Sequence, residues 1–171
     1  MTIRMLIADD HALMRGLLRA LLESHAGWEV CGEAENGYAA VLKSAELKPD
    51  LVILDLAMPV MDGLHAAREI STASPTLPII IHTQHNSSEI ESEAKKFGVR
   101  QVIEKADDGA KLLAAVEELL REKTTAAPSE TRLAAEINAS IVDVTPSAAQ
   151  LGNADSTEPG IPGEDPTPKV E

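Results

Sequence analysis

Five side chains capable of chemistry stand where apolar runs end. Asp9 and Asp10 follow "IRMLIA", Asp55 follows "LVIL", Thr83 closes "LPIIIHT", and Lys105 closes "RQVIEK". An isolated buried carboxylate is costly and tends to neutralise. Asp55 therefore either caps a turn or is held for use by something positive. If the run ends are neighbours, three carboxylates, a hydroxyl and an ammonium converge on one crevice. At about 4 Å and an effective dielectric near 20, each like-charge pair costs roughly 4 kcal/mol. Lys105 offsets only part of that, and a hard divalent cation with oxygen ligands offsets more. Mg2+ fits best, because it keeps several waters and takes one or two carboxylates, often together with phosphate. A carboxylate beside such an ion, a lysine and a hydroxyl donor is suited to phosphoryl transfer. Each residue also has a local reading. Asp9 and Asp10 could cap the following helix, Asp55 could be a turn residue, and Thr83 and Lys105 could be ordinary strand-end groups. The joint arrangement favours the chemical reading.

The elements that must position these residues follow from periodicity. "IRMLIAD", "WEVCGEA", "DLVILD", "LPIIIHT" and "RQVIEK" read as strands. Between and after them lie five helical segments. "HALMRGLLRALLESH" carries apolar residues at 13, 14, 17, 18, 21 and 22, a helical stripe. "GYAAVLKSAELK" and "GLHAAREISTA" follow, the latter closed by Pro75. "SSEIESEAKKFG" puts acids first and bases last, which suits the helix dipole, with Gly98 as its stop. "DDGAKLLAAVEELLREK" is the last. Strands alternating with helices predict a doubly wound parallel sheet covered on both faces. Ligands of such sheets bind beyond the carboxyl ends of the strands, at a switch in strand order. All five residues fall at those ends, although periodicity alone does not fix the order.

Composition narrows the function classes. The 171 residues include 15 basic and 28 acidic side chains, so a basic face for nucleic acid is not expected. The aromatic residues are Trp28, Tyr38 and Phe97, so the core must be aliphatic. One cysteine, Cys31, rules out an internal disulfide and a multi-cysteine zinc site, suits a reducing cytoplasm, and is expected in the core. No stretch has the length of a membrane span, and the N-terminus reaches acidic residues too early for a signal peptide. Composition changes near Thr124. From there on Pro, Gly, Ser, Thr and acids dominate, with 2 basic and 8 acidic residues. Residues 1–123 are therefore expected to form one domain, and residues 124–171 an acidic, mostly disordered tail, with a transient helix capped by Ser129.

With these motifs in order, the first part of the chain resembles the response-regulator receiver domain of two-component signalling. "LIADDH", "DLVILDLAMPVMDG", "IIIHT" and "GVRQVIEKAD" carry the resemblance over residues 3 to about 121. "ADDHALMRGLLRALL" with "VCGEAENG" looks like the subgroup that usually carries a LuxR-type helix-turn-helix output domain, which is not expected in a tail this short and acidic. The resemblance implies a flavodoxin-like (βα)5 fold with strand order 2-1-3-4-5. It implies that Asp55 is the phosphoacceptor for a histidine kinase or phosphotransferase. Mg2+ would be held by Asp10, Asp55 and the backbone carbonyl of Ala57, with Asp9 acting directly or through water. Lys105 would pair with phosphoryl oxygens, and Thr83 would turn inward to bond them. The chain would catalyse only its own phosphorylation and dephosphorylation, and signal by contact with a protein target.

Two positions depart from the family pattern. Val102 stands where an aromatic residue often lies, three before the lysine, so switching through an aromatic rotamer is not expected. Ala106 follows the lysine where a proline in a cis bond is common, and a non-proline cis bond costs roughly 2.5–4 kcal/mol. His11 is expected as a helix-start residue. His85 and Ala57, each two past a site residue, are candidates for tuning hydrolysis of the acyl phosphate. Competing functions are a phosphorylation-independent adaptor, a phosphatase or phosphotransferase of small substrates, and transcriptional control exerted indirectly through a partner. A phosphorylation-dependent homodimer is a further expectation.

Overall fold

The computed structural model describes residues 2–106 and 109–125. β1 (Ile3–Ala8), α1 (Ala12–Glu23), β2 (Trp28–Ala34), α2 (Gly37–Leu47), β3 (Leu51–Leu54), α3 (Gly63–Ala73), β4 (Ile79–Thr83), α4 (Ser88–Lys96), β5 (Gln101–Glu104) and α5 (Ala110–Thr125) alternate strictly. The strands form one parallel sheet in the order β2-β1-β3-β4-β5, the flavodoxin-like order that the resemblance implied. The last helix runs to Thr125, two residues beyond the expected boundary at 123. The tail from 126 onward, including the segment behind Ser129, lies outside the described residues. Among the described residues no helix is long and apolar enough to cross a membrane.

The apolar runs are explained by two-sided burial. Leu51, Val52, Ile53 and Leu54 of the central strand are all inaccessible to solvent. Alternate residues face opposite layers. Leu6, Val52, Leu54 and Ile81 pack with Ala40, Ala66, Ala67, Ile70 and Ala94 of α2, α3 and α4. Met5, Ile7, Ile53 and Ile80 pack with Leu18, Leu22, Leu112, Val116 and Leu119 of α1 and α5. The α1 stripe is wider than the face the sheet covers. Leu18 and Leu22 are buried, whereas Leu13 and Leu17 stand 79% and 56% exposed.

Three helix starts are fixed by side chains other than the site carboxylates. Asn36, Asp62 and Ser87 cap α2, α3 and α4 by accepting from the N–H groups of Ala39, His65 and Ile90. Asp55 is thus not the cap of α3. His11 occupies the cap position of α1 as expected, but its side chain makes no capping bond. Gly98 ends α4 with φ +81, and a Cβ there would meet Ser71 Oγ at 2.4 Å. Val60 also lies in the left-handed region, at φ +68, and is 85% exposed. A β-branched residue is disfavoured there. Val60→Asn is therefore expected to raise unfolding free energy by about 1 kcal/mol, measured by urea denaturation; an unchanged or lowered value contradicts the strain.

His82 is buried on β4, and its Nδ1 has no hydrogen-bond partner. Burial, with the nearby Lys105 charge adding to it, lowers its pKa to about 4 from the usual 6.5. The unfolded chain takes up this proton as pH falls below 6.5, and the folded chain does so only near 4. Stability is then complete above 6.5 and lost on descending to 4, by about 3 kcal/mol. Urea denaturation of the parent and of His82→Val between pH 7 and pH 4 should diverge by roughly that amount. Parallel pH curves would refute the assignment.

Candidate functional site

Strand register brings the site together. Ala8 of β1 pairs with Leu54 of β3, so the next residues, Asp9 and Asp55, emerge side by side. Thr83 pairs with Glu104, which sets Lys105 one step beyond β4. The backbone holds each residue as it leaves the sheet. Asp55 N donates to Ala8 O at 2.7 Å, Asp9 N to Ala34 O at 3.1 Å, and Lys105 N to Thr83 O at 2.7 Å.

Lys105 Nζ lies between the two carboxylates, 2.7 Å from Asp9 Oδ2 and 3.1 Å from Asp55 Oδ1. Asp9 and Asp55 are only 1% and 5% exposed, and the lysine side chain 7%. Burial raises the Asp55 pKa above the ordinary aspartate value, and the neighbouring Asp9 charge adds to it, against the opposing bond and charge of Lys105. For Lys105 burial disfavours the cation, yet the bonds to Asp9 and Asp55 outweigh it, so its pKa is raised. Asp9 uses its other oxygen, Oδ1, to accept from His11 N at 2.8 Å. Arg15 Nη1 holds the Asp9 carbonyl at 2.7 Å while its Nε reaches Glu33 at 3.2 Å, which ties the turn after β1 to β2.

A cleft opens beside this cluster. Asp10, Asp55, Ala57, Thr83 and Lys105 line it, with His11 and His85 also contributing. Asp9 is not among the lining residues. Asp10 turns its Oδ1 to His11 Nδ1 at 2.7 Å. Thr83 Oγ1 is paired only weakly, with the backbone of His85 at 3.3 and 3.4 Å. The donors around the cleft, two carboxylates and a carbonyl-bearing backbone at Ala57, are hard oxygens of the kind Mg2+ takes.

The structure therefore brings Asp9, Asp55 and Lys105 into direct contact and sets Asp10, Ala57 and Thr83 around the same opening. Arg15 and Gly63 were not anticipated. Gly63 packs on Asp55 itself: a Cβ there would lie 2.1 Å from the Asp55 carbonyl oxygen. In the sequence Gly63 stands only as the first residue of the helical segment "GLHAAREISTA", with nothing to mark its contact with Asp55. Arg15 gave no signal beyond one polar residue on an amphipathic helix. Cys31 is partly exposed rather than in the core, its Sγ donating to Met5 O at 3.3 Å, because β2 is an edge strand.

The response regulator receiver domain family matches residues 5–117. The chain belongs to that family, whose members are phosphoacceptor signalling domains of the CheY type. It is 43% identical to the chemotaxis protein CheY of Thermotoga maritima over 102 residues, covering 60% of this chain and 84% of that protein. It is 40% identical to the transcriptional regulatory protein YdfI of Bacillus subtilis, covering 57% of this chain and 45% of YdfI. Among solved structures it is similar to a two-component response regulator of the LuxR family from Aurantimonas, with TM-score 0.69, 32% identity, and 71% of this chain and 87% of that one covered. CheY of Borrelia burgdorferi in its complex with CheX, BeF3 and Mg2+ matches with TM-score 0.66 and 26% identity, over 68% of this chain and 88% of that one.

Gly63→Ala is expected to lower unfolding free energy by about 2 kcal/mol, because backbone at Asp55 must shift to admit the methyl. Denaturation measures this, and an unchanged stability would mean that α3 does not pack on Asp55.

Proposed function

We propose that the chain is a working receiver that accepts a phosphoryl group on Asp55 from a histidine kinase or phosphotransferase and signals through protein contacts. The observation that carries this reading is the buried Lys105 ammonium bridging Asp9 and Asp55 at the mouth of an open cleft. A carboxylate oxygen of Asp55 attacks phosphorus, the bond to the donor histidine nitrogen breaks, and that nitrogen keeps the electron pair. Lys105 pairs with the phosphoryl oxygens, and Thr83, whose hydroxyl has only weak partners, bonds one of them. Mg2+, held by Asp10, Asp55 and the Ala57 carbonyl with Asp9 directly or through water, would supply neutralisation of the transferred group's negative charge. The Borrelia burgdorferi complex of CheX and CheY with BeF3 and Mg2+ is in keeping with such a site.

Movement of Thr83 would pass to the β4–α4 connection and α4. The output face would include the cleft between α4 and β5, where Ala94, Val99 and Val102 are flanked by Lys95 and Arg100. Residues 1–123 act as the receiver and residues 124–171 as an appended acidic segment. A phosphorylation-independent adaptor is the second reading, favoured by Val102 in place of an aromatic switch residue.

The test is intact mass of the purified chain after incubation with Mg2+ and acetyl phosphate, and with a phosphorylated histidine kinase. One phosphoryl group taken up, and lost in Asp55→Ala and without Mg2+, is expected. Failure with both donors would leave the adaptor. Once phosphorylated, Ala57→Asn and His85→Ala should each change the dephosphorylation rate by several-fold; rates matching the parent would show that neither side-chain position tunes hydrolysis of the acyl phosphate.

A further inference from the structure

The connection between β4 and α4 is pinned at Asn86 by acidic side chains from two different elements. Glu104, the last residue of β5, accepts the Asn86 backbone N–H on its Oε1 at 3.1 Å. Glu91 of α4 accepts the Asn86 side-chain amide on its Oε1 at 2.7 Å. Alternate strand residues share a face, so Glu104 belongs to the same face of β5 as Val102, the side on which α4 packs. Neither Glu91 nor Glu104 lines the cleft. Asn86 comes three residues after Thr83 and immediately before Ser87, the cap of α4. At the other end of this short segment the Thr83 hydroxyl has only the weak contacts with the His85 backbone. The pinned position is locally unfavourable. Asn86 Oδ1 is buried and has no hydrogen-bond partner, and an unpaired buried carbonyl costs free energy. The two carboxylates thus hold the segment against a local cost.

We propose that Glu104 and Glu91 form a latch on Asn86 that holds the β4–α4 connection in its resting position and opposes occupation of Asp55. This rests on the reading of Asp55 as the phosphoacceptor. For Thr83 Oγ1 to bond a phosphoryl oxygen it must leave His85, and the backbone of residues 84–86 follows. Hydrogen bonds to a charged acceptor are short and directional, so a shift of about an ångström at Asn86 breaks them. The latch bonds are therefore made only in the resting state. An interaction made in one of two states lowers the affinity of any ligand that selects the other. Release of Asn86 also frees Ser87, and with it the first turn of α4, so occupancy of Asp55 is passed to that helix through backbone.

The experiment uses the full chain with BeF3 and Mg2+, BeF3 being a tetrahedral stand-in for a phosphoryl group on a carboxylate. Fluorine-19 NMR counts the bound anion, and hydrogen exchange followed by NMR reads the Asn86 backbone amide. The parent is expected to bind one BeF3, and Asp55→Asn none. Glu104→Ala should bind it about tenfold more tightly than the parent. Asn86→Ala keeps the backbone N–H and loses only the bond to Glu91, so its gain should be smaller. Glu104→Gln keeps an acceptor oxygen without the charge. It should fall between the parent and Glu104→Ala, and it carries the test if the alanine variant folds poorly. In the parent the Asn86 amide should exchange faster with BeF3 bound than without it. A merely structural bond leaves the affinity of both Glu104 variants equal to or weaker than that of the parent, which overturns the latch and leaves Asp55 as the acceptor. Protection of the Asn86 amide that does not fall on binding also overturns the latch. A parent chain that takes up no BeF3 in Mg2+ overturns the reading of Asp55 and the latch together.

Discussion

A buried lysine between two buried carboxylates is the constraint from which the rest of the site follows. Taking Asp9 and Asp55 out of water is unfavourable, and their proximity makes it more so. Lys105 makes it tolerable by bonding both. The compensation is incomplete, since the Asp55 pKa stays above its ordinary value while that of Lys105 is raised. A second positive charge has reason to enter such a place, and so does a phosphoryl group that brings new partners for the lysine. The feature that makes the fold locally costly is the one on which the proposed phosphoryl transfer rests, in keeping with the tendency of perturbed titratable groups to mark functional sites.

Much of this was legible in the sequence, for a simple reason. Two-sided burial forces the strands to be continuous apolar runs, so a charge at the end of a run stands out. "LVIL" before Asp55 and "LPIIIH" before Thr83 mark both the strand and the point where it reaches the crevice. Spatial order is not encoded that way. The pairing of Ala8 with Leu54 depends on which strands become neighbours, and only the family resemblance supplied the order. The supports of the site were harder still. Arg15 acts on a backbone carbonyl across a turn, and Gly63 acts through the absence of an atom, so neither has a periodic signature. The α1 stripe identified a helix but not how much of it is covered: Leu18 and Leu22 are buried, whereas Leu13 and Leu17 stay exposed.

Propagation from the site to the surface differs in one residue from what the family pattern suggests. Val102 packs against the core layer shared by α2, α3 and α4 and borders the cleft with Lys95 and Arg100. A valine has one rotatable side-chain bond and no ring to swing between inside and outside. On the proposed reading, a signal leaving Thr83 travels through displacement of backbone and of α4. That helix is well suited to move, since among its residues only Ala94 is buried.

A double-mutant cycle on Lys105 and Asp55 addresses the central constraint most directly. Unfolding free energies of the parent, Lys105→Met, Asp55→Asn and the double variant would be measured without added divalent cations. Lys105→Met leaves two buried carboxylates without their counter-charge and is expected to cost about 3 kcal/mol or more. Removing the Asp55 charge as well should recover part of that loss, with a coupling of about 1 kcal/mol or more. Additivity within about 0.5 kcal/mol would show that the lysine does not hold the acceptor, and would contradict the account at its base.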